Sequence, residues 1–189
     1  MRNLEQELKL QLTEREYNIL QNVANVEPVE QINHYFTPLQ PNLSVMLRLR
    51  QKGDTFIACY KHRITHNDGV MVSDEKECEI DSCYAQTLIA RGITAEEVQR
   101  FFQVDTTDDF VCIGQLTTYR TKFTLGEWTL ELDKNVYFDV TDYELECESN
   151  QIQSLAKLKS YLTYTYGIVV RPSVTKLERF ILAKGKSNK

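Results

Sequence analysis

The first dozen residues alternate between apolar and polar side chains. Leu4, Leu8 and Leu10 occupy one set of positions, and charged or amide side chains occupy the other set from Glu5 to Gln11. A period of two is typical of a β-strand with one buried face. Thr13 then opens the sequence Thr-Glu-Arg-Glu, which is a capping box, so a helix is predicted from residue 13 to about residue 24.

Most of the remaining chain also has the pattern of strands. Further strands are predicted at 31–36, 43–51, 55–63, 70–80, 110–123, 127–133 and 142–148, with turns at Asp68-Gly69 and Gly126. Helices are predicted at 94–102, after a capping box at Thr94, at 150–166, where Gly167 stops the helix, and at 173–184. This order predicts an α+β domain of seven or eight antiparallel strands, arranged as a sandwich or a barrel.

Composition narrows the class of protein. The 189 residues fit one domain, spanning 1–189, and the net charge of −5 argues against a broad nucleic-acid surface. The chain shows no signal-peptide pattern and no apolar run of the length that crosses a membrane. Its five cysteines are scattered, without a CxxC pair, as is typical of reduced thiols. We therefore expect a cytoplasmic protein without nucleic-acid or membrane partners.

Charges on the predicted strands are sorted by sign. Side chains at positions i and i+2 share one face of a strand. Basic pairs of this kind are Arg48 with Arg50, Lys61 with Arg63, and Arg120 with Lys122; acidic rows are 75–79, 131–133 and 144–148. Each strand alone is compatible with a solvated outer face. A solvated face usually mixes the two signs, however, so the sorting favours ligands that compensate each row.

Each sorted row suits a particular ligand. Close carboxylates suit a divalent cation, and close arginines and lysines suit phosphates. Both kinds of row can face the inside of one closed barrel while the apolar faces pack outward against helices. The pattern therefore predicts a polar tunnel, the inverse of an ordinary small barrel.

The order of these motifs resembles a known family. Glu5-Gln6-Glu7-Leu8-Lys9 forms an ExExK motif on the first predicted strand. It is followed by Leu47-Arg48-Leu49-Arg50, Tyr60-Lys61, Tyr119-Arg120, Leu130-Glu131-Leu132-Asp133, Asp142-Tyr143-Glu144-Leu145-Glu146, Lys176 and Glu178-Arg179-Phe180. The set resembles the CYTH domain, the triphosphate tunnel metalloenzymes, and is most similar to their short single-domain bacterial branch. The resemblance implies an eight-stranded antiparallel barrel tunnel with helices packed outside, acting on triphosphates with Mg²⁺ or Mn²⁺.

The resemblance also implies roles for individual residues. The implied metal ligands are Glu5, Glu7, Glu144 and Glu146. The implied phosphate-binding residues are Lys9, Arg48, Arg50, Lys61, Arg120 and Lys176, with Lys122 and Glu77 as additions. A catalytic carboxylate is expected among Glu131, Asp133 and Glu144. Outer salt bridges or positions at the tunnel mouth are expected for Arg63, Glu75, Glu79, Glu148 and Arg179, and surface positions for His34, His62 and His66.

Three functions remain open at this point. The first is a hydrolase of inorganic triphosphate or of a triphosphate with a small organic end. The second is adenylate cyclase, which the same family includes, and the third is a non-catalytic module that binds polyphosphate or a nucleotide. Both acidic ExE pairs are present, which favours an enzyme, and the short chain leaves little room to recognise a base, which favours the hydrolase. The sequence leaves open whether the protein is a monomer or a homodimer.

Overall fold

The computed structural model describes residues 4–39, 45–67, 70–149, 152–171 and 173–187. Within these ranges the chain forms eight strands and five helices. The strands are β1 Leu4–Leu12, β2 Val29–Pro38, β3 Val45–Lys52, β4 Thr55–Asn67, β5 Val70–Ile80, β6 Phe110–Leu125, β7 Trp128–Tyr137 and β8 Val140–Glu148. The helices are α1 Glu14–Ala24, α2 Ser82–Arg91, α3 Ala95–Phe102, α4 Ile152–Tyr166 and α5 Lys176–Ser187.

The eight strands form a closed antiparallel barrel. Their order around the barrel is β1-β5-β4-β3-β2-β6-β7-β8, and β1 pairs with both β5 and β8. Because every strand has two partners, the barrel presents no unpaired edge. The predicted α+β barrel is therefore confirmed.

The apolar faces of the strands point away from the barrel axis, towards the helices. Leu10 of β1 and Leu145 of β8 pack in one buried cluster with Leu20 of α1 and Leu158 of α4. On the opposite side, a second cluster joins outer residues of the strands to α2 and α3, namely Leu47, Leu49, Phe56, Leu88, Val98 and Phe102. The hydrophobic core is thus a shell between strands and helices, which leaves the inner face of the barrel to polar side chains.

Helix α5 closes one end of the barrel. The ring of Phe180 lies 5.4 Å from the ring of Tyr35 and 5.9 Å from that of Tyr137, which both point inward. Leu116 and Leu177 complete this buried cluster. The sequence predicted that this helix packs outside, like the other three predicted helices. Because its apolar side chains meet inward-facing residues, the helix lies across the barrel end instead.

Local signals explain most element boundaries. Thr13 and Thr94 form the predicted capping boxes of α1 and α3. Helix α5 begins at residue 176 rather than 173, because Thr175 and Glu178 exchange the hydrogen bonds of a third capping box. The sequence did not predict α2, whose first turn is capped by the side chain of Asp81.

The turn at Asp68-Gly69, residues 43–44 and residues 150–151 lie outside the described residues. His34 is buried rather than at the surface, and it lies in β2 opposite the buried Leu49 of β3. Among the described residues, none of the helices has the length and apolarity needed to span a membrane.

Candidate active site

The barrel encloses a cavity of about 510 Å³, which we call the tunnel cavity. Its lining is dominated by charged side chains, thirteen from the strands and Lys176 from α5. These charged residues are Glu7, Lys9, Arg48, Arg50, Lys61, Arg63, Glu75, Glu77, Arg120, Lys122, Glu131, Glu146, Glu148 and Lys176. Tyr35, Met46, Thr175 and Leu177 form the remainder of the lining. The sorted rows of the sequence therefore meet in one enclosed space.

Three carboxylates form an acidic triad at the wall made by β7 and β8. Asp133 lies opposite Glu144 in the strand register, and Glu146 follows two residues later on the same face. One oxygen from each of the three lies within 4.8 Å of the others, and all three side chains are buried. Hard carboxylate oxygens are the ligands that Mg²⁺ and Mn²⁺ prefer. The donor set of the triad thus fits the metal implied for this fold.

Two ammonium groups neutralise the acidic triad. Nζ of Lys176 lies 2.8 Å from Oδ2 of Asp133 and 2.6 Å from Oε1 of Glu146, and it also contacts Oε1 of Glu144. Nζ of Lys9 contacts Oε1 of Glu146 and lies 3.4 Å from Oε1 of Glu144. Lys9 and Lys176 both line the tunnel cavity, so the two ammonium groups lie between the triad and the open space.

The pKa values of the triad diverge. Burial raises the pKa of Glu144 above its usual range, and the neighbouring charge of Glu146 adds to the effect. Burial acts in the same direction on Asp133, but the charges of Lys176 and Arg120 hold its pKa below the usual value. The pKa of Glu146 is lowered further, because Lys176, Lys9 and Arg120 outweigh the cost of its burial. Asp133 and Glu146 are therefore the firmly ionised members of the triad.

Arg120 of β6 binds the triad from its other side. Nε donates to Oδ1 of Asp133 at 2.7 Å, and Nη2 donates to Oδ2 of Asp133 at 2.6 Å and to Oε2 of Glu146 at 2.7 Å. Nη1 contacts Glu131, which also accepts a hydrogen bond from Lys122 at 3.1 Å. The guanidinium fork suits this bidentate geometry. Arg120 therefore fixes the triad, and it also lines the cavity.

The opposite wall is basic, and Glu75 organises it. Glu75 accepts a hydrogen bond from Nζ of Lys61 at 2.8 Å and lies 3.6 Å from Nη2 of Arg48. The thiol of Cys59 donates to the same carboxylate at 2.8 Å. We expected Glu75 outside or at the mouth; it instead lies inside, because it shares the inward face of β5 with Glu77. This alternation was visible in the sequence, but the pairing with Lys61 was not.

Arg50 differs from the other cations of the cavity. Among the described residues, its guanidinium forms no ion pair, and Nε donates to Oδ1 of Asn33 at 3.3 Å. Arg48 lies two residues away on the same face, and its charge, together with burial, lowers the pKa of Arg50 to about 10. Nε of Arg48 is itself buried without a hydrogen-bond partner in the described part of the chain. The unpaired charge of Arg50 and the free Nε donor of Arg48, both among the described residues, together offer a site for an anion.

Glu7, one of the implied metal ligands, does not lie directly beside the other two described ones, Glu144 and Glu146. Oε1 of Glu7 lies 3.2 Å from Nζ of Lys9, and Oε2 lies 3.7 Å from Nζ of Lys61. Lys9 therefore separates Glu7 from Glu144 and Glu146, whereas Asp133 joins them directly. Glu5 lies in β1, but its side chain is outside the described part of the structure.

Arg179 is a site residue that sequence reasoning placed outside. From α5, Nε donates to Asp142 at 2.8 Å, and Nη2 contacts Oε2 of Glu144. Nη1 donates to Oγ of Ser173 at 2.5 Å, which ties the start of α5 to the same group. The expectation was an outer salt bridge or a position at the tunnel mouth; the side chain pairs with the buried Asp142 and Glu144, because α5 lies across the barrel end.

Comparison with known proteins places the chain in a family. The CYTH domain matches residues 3–181. This chain belongs to the CYTH domain family. Members of the family are metal-dependent enzymes that act on triphosphates. No curated protein matches the sequence.

Solved structures share the CYTH fold. A proposed adenylyl cyclase from Hippeastrum, described with a dominant triphosphatase activity, is 24% identical with a TM-score of 0.78, over 95% of this chain and 96% of that chain. A proposed adenylate cyclase from Bacillus halodurans is 22% identical with a TM-score of 0.73, over 92% of this chain and 95% of that chain. A proposed adenylate cyclase from Vibrio parahaemolyticus is 15% identical with a TM-score of 0.58, over 97% of this chain and 99% of that chain. These likenesses show the fold.

Proposed function

We propose that this CYTH protein is a metal-dependent hydrolase of inorganic triphosphate or of a triphosphate with a small organic end. One observation carries the proposal: Glu146, a member of the buried acidic triad, and the guanidiniums of Arg48 and Arg50 line opposite walls of one cavity. A chain of phosphates is the ligand that carries several negative charges along one axis. The relative from Hippeastrum with its triphosphatase activity supports the same conclusion.

The chain's own cations would bind the substrate. Arg48, Arg50 and Lys61 line the basic wall, and Lys9, Arg120, Lys122 and Lys176 line the cavity nearer the triad. Phosphoryl transfer depends mainly on positioning and on stabilising charge on the phosphate oxygens. A divalent cation, Mg²⁺ or Mn²⁺, held by Asp133, Glu144 and Glu146 would supply further positive charge to those oxygens. Glu7 of β1, which pairs with Lys9 beside the triad, would support it.

The water nucleophile needs a carboxylate that reaches the cavity. Of the three predicted catalytic carboxylates, Glu131 lines the tunnel cavity, whereas Asp133 and Glu144 lie behind Lys176. Arg120 and Lys122 hold Glu131 in place by contacts to its two oxygens. We therefore assign Glu131 the orientation of the attacking water, and Asp133 and Glu144 the binding of the metal.

The cyclase alternative needs a pocket for adenine, which favours apolar and aromatic surroundings. The uncharged lining residues Tyr35, Met46 and Leu177 instead belong to the apolar cluster that α5 closes. They pack against the helix rather than standing open for a ring. A non-catalytic binding module, the third alternative, would not require a buried acidic triad opposite the phosphate-binding wall. Both observations favour the hydrolase.

The test is a product analysis with purified protein. Inorganic triphosphate and ATP are each supplied with Mg²⁺ or Mn²⁺, and orthophosphate, pyrophosphate and cyclic AMP are separated by ion chromatography. We expect inorganic triphosphate to be cleaved to equal amounts of orthophosphate and pyrophosphate, and orthophosphate release from it to exceed cyclic AMP formation from ATP. Pyrophosphate and cyclic AMP as the main products from ATP would replace the hydrolase with a cyclase. Tight triphosphate binding without turnover would support the binding module.

The protein's surroundings complete the proposal. All five cysteines are free thiols in the structure. Reduced thiols are typical of the cytoplasm, which we propose as the compartment where the enzyme acts on its small-molecule substrate. We propose that it acts as a monomer or a homodimer, since each barrel encloses its own cavity.

A further inference from the structure

The first residue of α5 reaches the centre of the acidic triad. Lys176 is buried, and its Nζ contacts one oxygen from each of Asp133, Glu144 and Glu146. Three carboxylates around one ammonium satisfy all three of its donors. The ammonium therefore lies where a cation bound by the whole triad would lie.

The remaining oxygens of the triad are held by arginines. Arg120 binds Oδ1 of Asp133 and Oε2 of Glu146, and Arg179 contacts Oε2 of Glu144. The carboxylates are therefore fixed from behind, and the oxygens that face Lys176 keep their positions whatever cation occupies the centre. A divalent cation coordinated by all three residues must share those oxygens with Nζ of Lys176, and the two positive charges repel.

We infer that Lys176 is a displaceable counter-ion, whose ammonium balances the triad in the metal-free protein and leaves it when a divalent cation binds. The inference rests on the proposed function, because it concerns the metal of that site. Lys176 is the residue suited to this exchange, because its long side chain starts from the first position of a helix and already lines the tunnel cavity. A modest rotation of its flexible stem moves the charge from the triad into the cavity.

Lys9 is the less suitable of the two lysines. Its Nζ contacts Glu146 but lies 3.4 Å from Glu144, and it keeps a separate partner in Glu7 at 3.2 Å. It can therefore remain paired with Glu7 while the triad binds a metal. Lys176 has no such second carboxylate among its described ion pairs, which are all with the triad.

The exchange couples metal binding to triphosphate binding. Lys176, once expelled into the cavity, needs a new anionic partner, and a triphosphate provides one. The metal then binds more tightly when triphosphate is present, and by linkage the triphosphate binds more tightly when the metal is present. In the absence of triphosphate, Lys176 competes with the metal. Removal of Lys176 is therefore expected to strengthen the binding of metal alone.

The experiment measures the affinity for Mn²⁺ in the absence of triphosphate. Three proteins are titrated by calorimetry: wild type, Lys176→Met and Lys186→Met. Lys186 lies on the same helix, is exposed, and makes no contact with the triad in the described part of the chain, so its variant controls for the loss of one positive charge. We expect Lys176→Met to bind Mn²⁺ at least tenfold more tightly than wild type, and Lys186→Met to stay within twofold. Equal or weaker Mn²⁺ binding by Lys176→Met overturns the inference.

Thermal unfolding provides a second readout. Loss of Lys176 leaves buried carboxylates under-neutralised, which destabilises a protein. We expect Lys176→Met to melt below wild type in chelator and to regain more stability on addition of Mn²⁺ than wild type does. If Lys176→Met fails to fold in chelator, Lys176→Gln is titrated in its place. This variant keeps a hydrogen-bond donor but carries no charge. Failure of Mn²⁺ to stabilise either variant more than wild type also overturns the inference.

The inference and the proposed function fail in distinguishable ways. Mn²⁺ affinity is measured without substrate, so a protein that shows the expected shift but releases no phosphate contradicts the hydrolase and leaves the counter-ion role standing. A protein that hydrolyses triphosphate but shows no gain in Mn²⁺ affinity for Lys176→Met or Lys176→Gln contradicts the counter-ion role alone.

Discussion

Arg120 binds Asp133 through two parallel hydrogen bonds, Nε to Oδ1 at 2.7 Å and Nη2 to Oδ2 at 2.6 Å. The two residues face each other across β6 and β7. A bidentate pair fixes the plane of the carboxylate as well as its charge. The orientation of the candidate metal ligand Asp133 thus depends on a guanidinium and not simply on a positive charge.

Arg120→Lys tests this dependence. The variant keeps the charge but loses the fork, so Asp133 can turn away from the other two carboxylates. We expect kcat for inorganic triphosphate to fall by at least tenfold, which is about 1.4 kcal/mol of transition-state stabilisation. Arg171→Lys, which alters the pair of hydrogen bonds from Arg171 to Glu16 away from the cavity lining, is the matched control and should retain most activity. Wild-type kcat in Arg120→Lys would refute the role of the fork.

Arg50→Ala tests the anion site on the basic wall. Arg50 forms no ion pair among the described residues, so its removal breaks no internal pair and should leave the melting temperature close to that of wild type. We expect KM for inorganic triphosphate to rise about tenfold at low salt, because a charge-assisted hydrogen bond contributes about 1.5–3 kcal/mol. The effect should shrink as salt rises, since ions screen the contact.

The control for that measurement is Lys157→Ala, which removes an exposed cation from the outer helix α4. Its KM should match wild type at every salt concentration. A KM for Arg50→Ala that equals wild type at low salt would show that phosphate binds elsewhere.

Metal removal should separate activity from folding. Lys9 and Lys176 neutralise the acidic triad without any metal, so the barrel is expected to keep its circular dichroism spectrum in excess chelator. Hydrolysis of inorganic triphosphate should stop there and return on addition of Mg²⁺ or Mn²⁺. Full turnover in chelator would rule out the metal role of Asp133, Glu144 and Glu146.

Glu16 makes stability depend on pH. Burial would raise its pKa, but hydrogen bonds from Arg171, Thr13 and Val169 lower it from 4.5 to about 2. Because the folded pKa is the lower one, the ionised group stabilises the fold above about pH 4.5, and this contribution is lost as the pH falls towards 2. We expect Glu16→Gln to cost about 1–2 kcal/mol at pH 7, allowing for the partial exposure of Arg171.

Urea unfolding of wild type and Glu16→Gln between pH 7 and pH 2 measures this contribution. The difference in unfolding free energy should narrow as the pH falls below 4.5, because the unfolded wild-type chain takes up the proton there while the folded protein does so only near pH 2. Glu14→Gln removes the same charge from an exposed position of α1 and should show a smaller difference. A difference for Glu16→Gln that is constant with pH would contradict the assignment.

Gly92 and Gly53 both have a positive φ, of +96° and +58°, but their surroundings differ. A Cβ at Gly92 would lie 2.5 Å from the carbonyl oxygen of Phe110, whereas a Cβ at Gly53 meets no atom within 4 Å. We expect Gly92→Ala to cost about 3 kcal/mol or more and Gly53→Ala about 1 kcal/mol, from backbone conformation alone. Thermal unfolding gives both values, and equal costs would show that the β6 strand start moves aside.

The strands could be predicted because each has one buried face. The period of two predicted all eight strands, and the capping boxes at Thr13 and Thr94 predicted the starts of two helices. Helix α2 was missed because its residues lack a strong apolar period, although Asp81 and Gly92 flank it as cap residues. The start of α5 was misplaced because Pro172-Ser173 resembles a helix start as much as Thr175 does.

The sequence predicted which strand face carries a site residue, but it did not predict which residue pairs with it. The alternation put Arg48, Arg120 and Glu146 inside, yet the pairing of Glu75 with Lys61 depends on the register of β4 against β5. Arg179 was misassigned for a different reason. Its role depends on where α5 lies relative to the barrel end, and no local pattern in the sequence encodes that placement.

Because the hydrophobic core lies outside the barrel, selection for stability and selection for substrate binding act on different residues. Leu10, Leu47 and Leu145 maintain the shell, while the inward neighbours Lys9, Arg48 and Glu146 face the cavity. A change of an inward residue therefore removes little apolar burial. Substrate preference in this architecture can drift through the inward positions, one alternate residue at a time, while the outward positions preserve the scaffold.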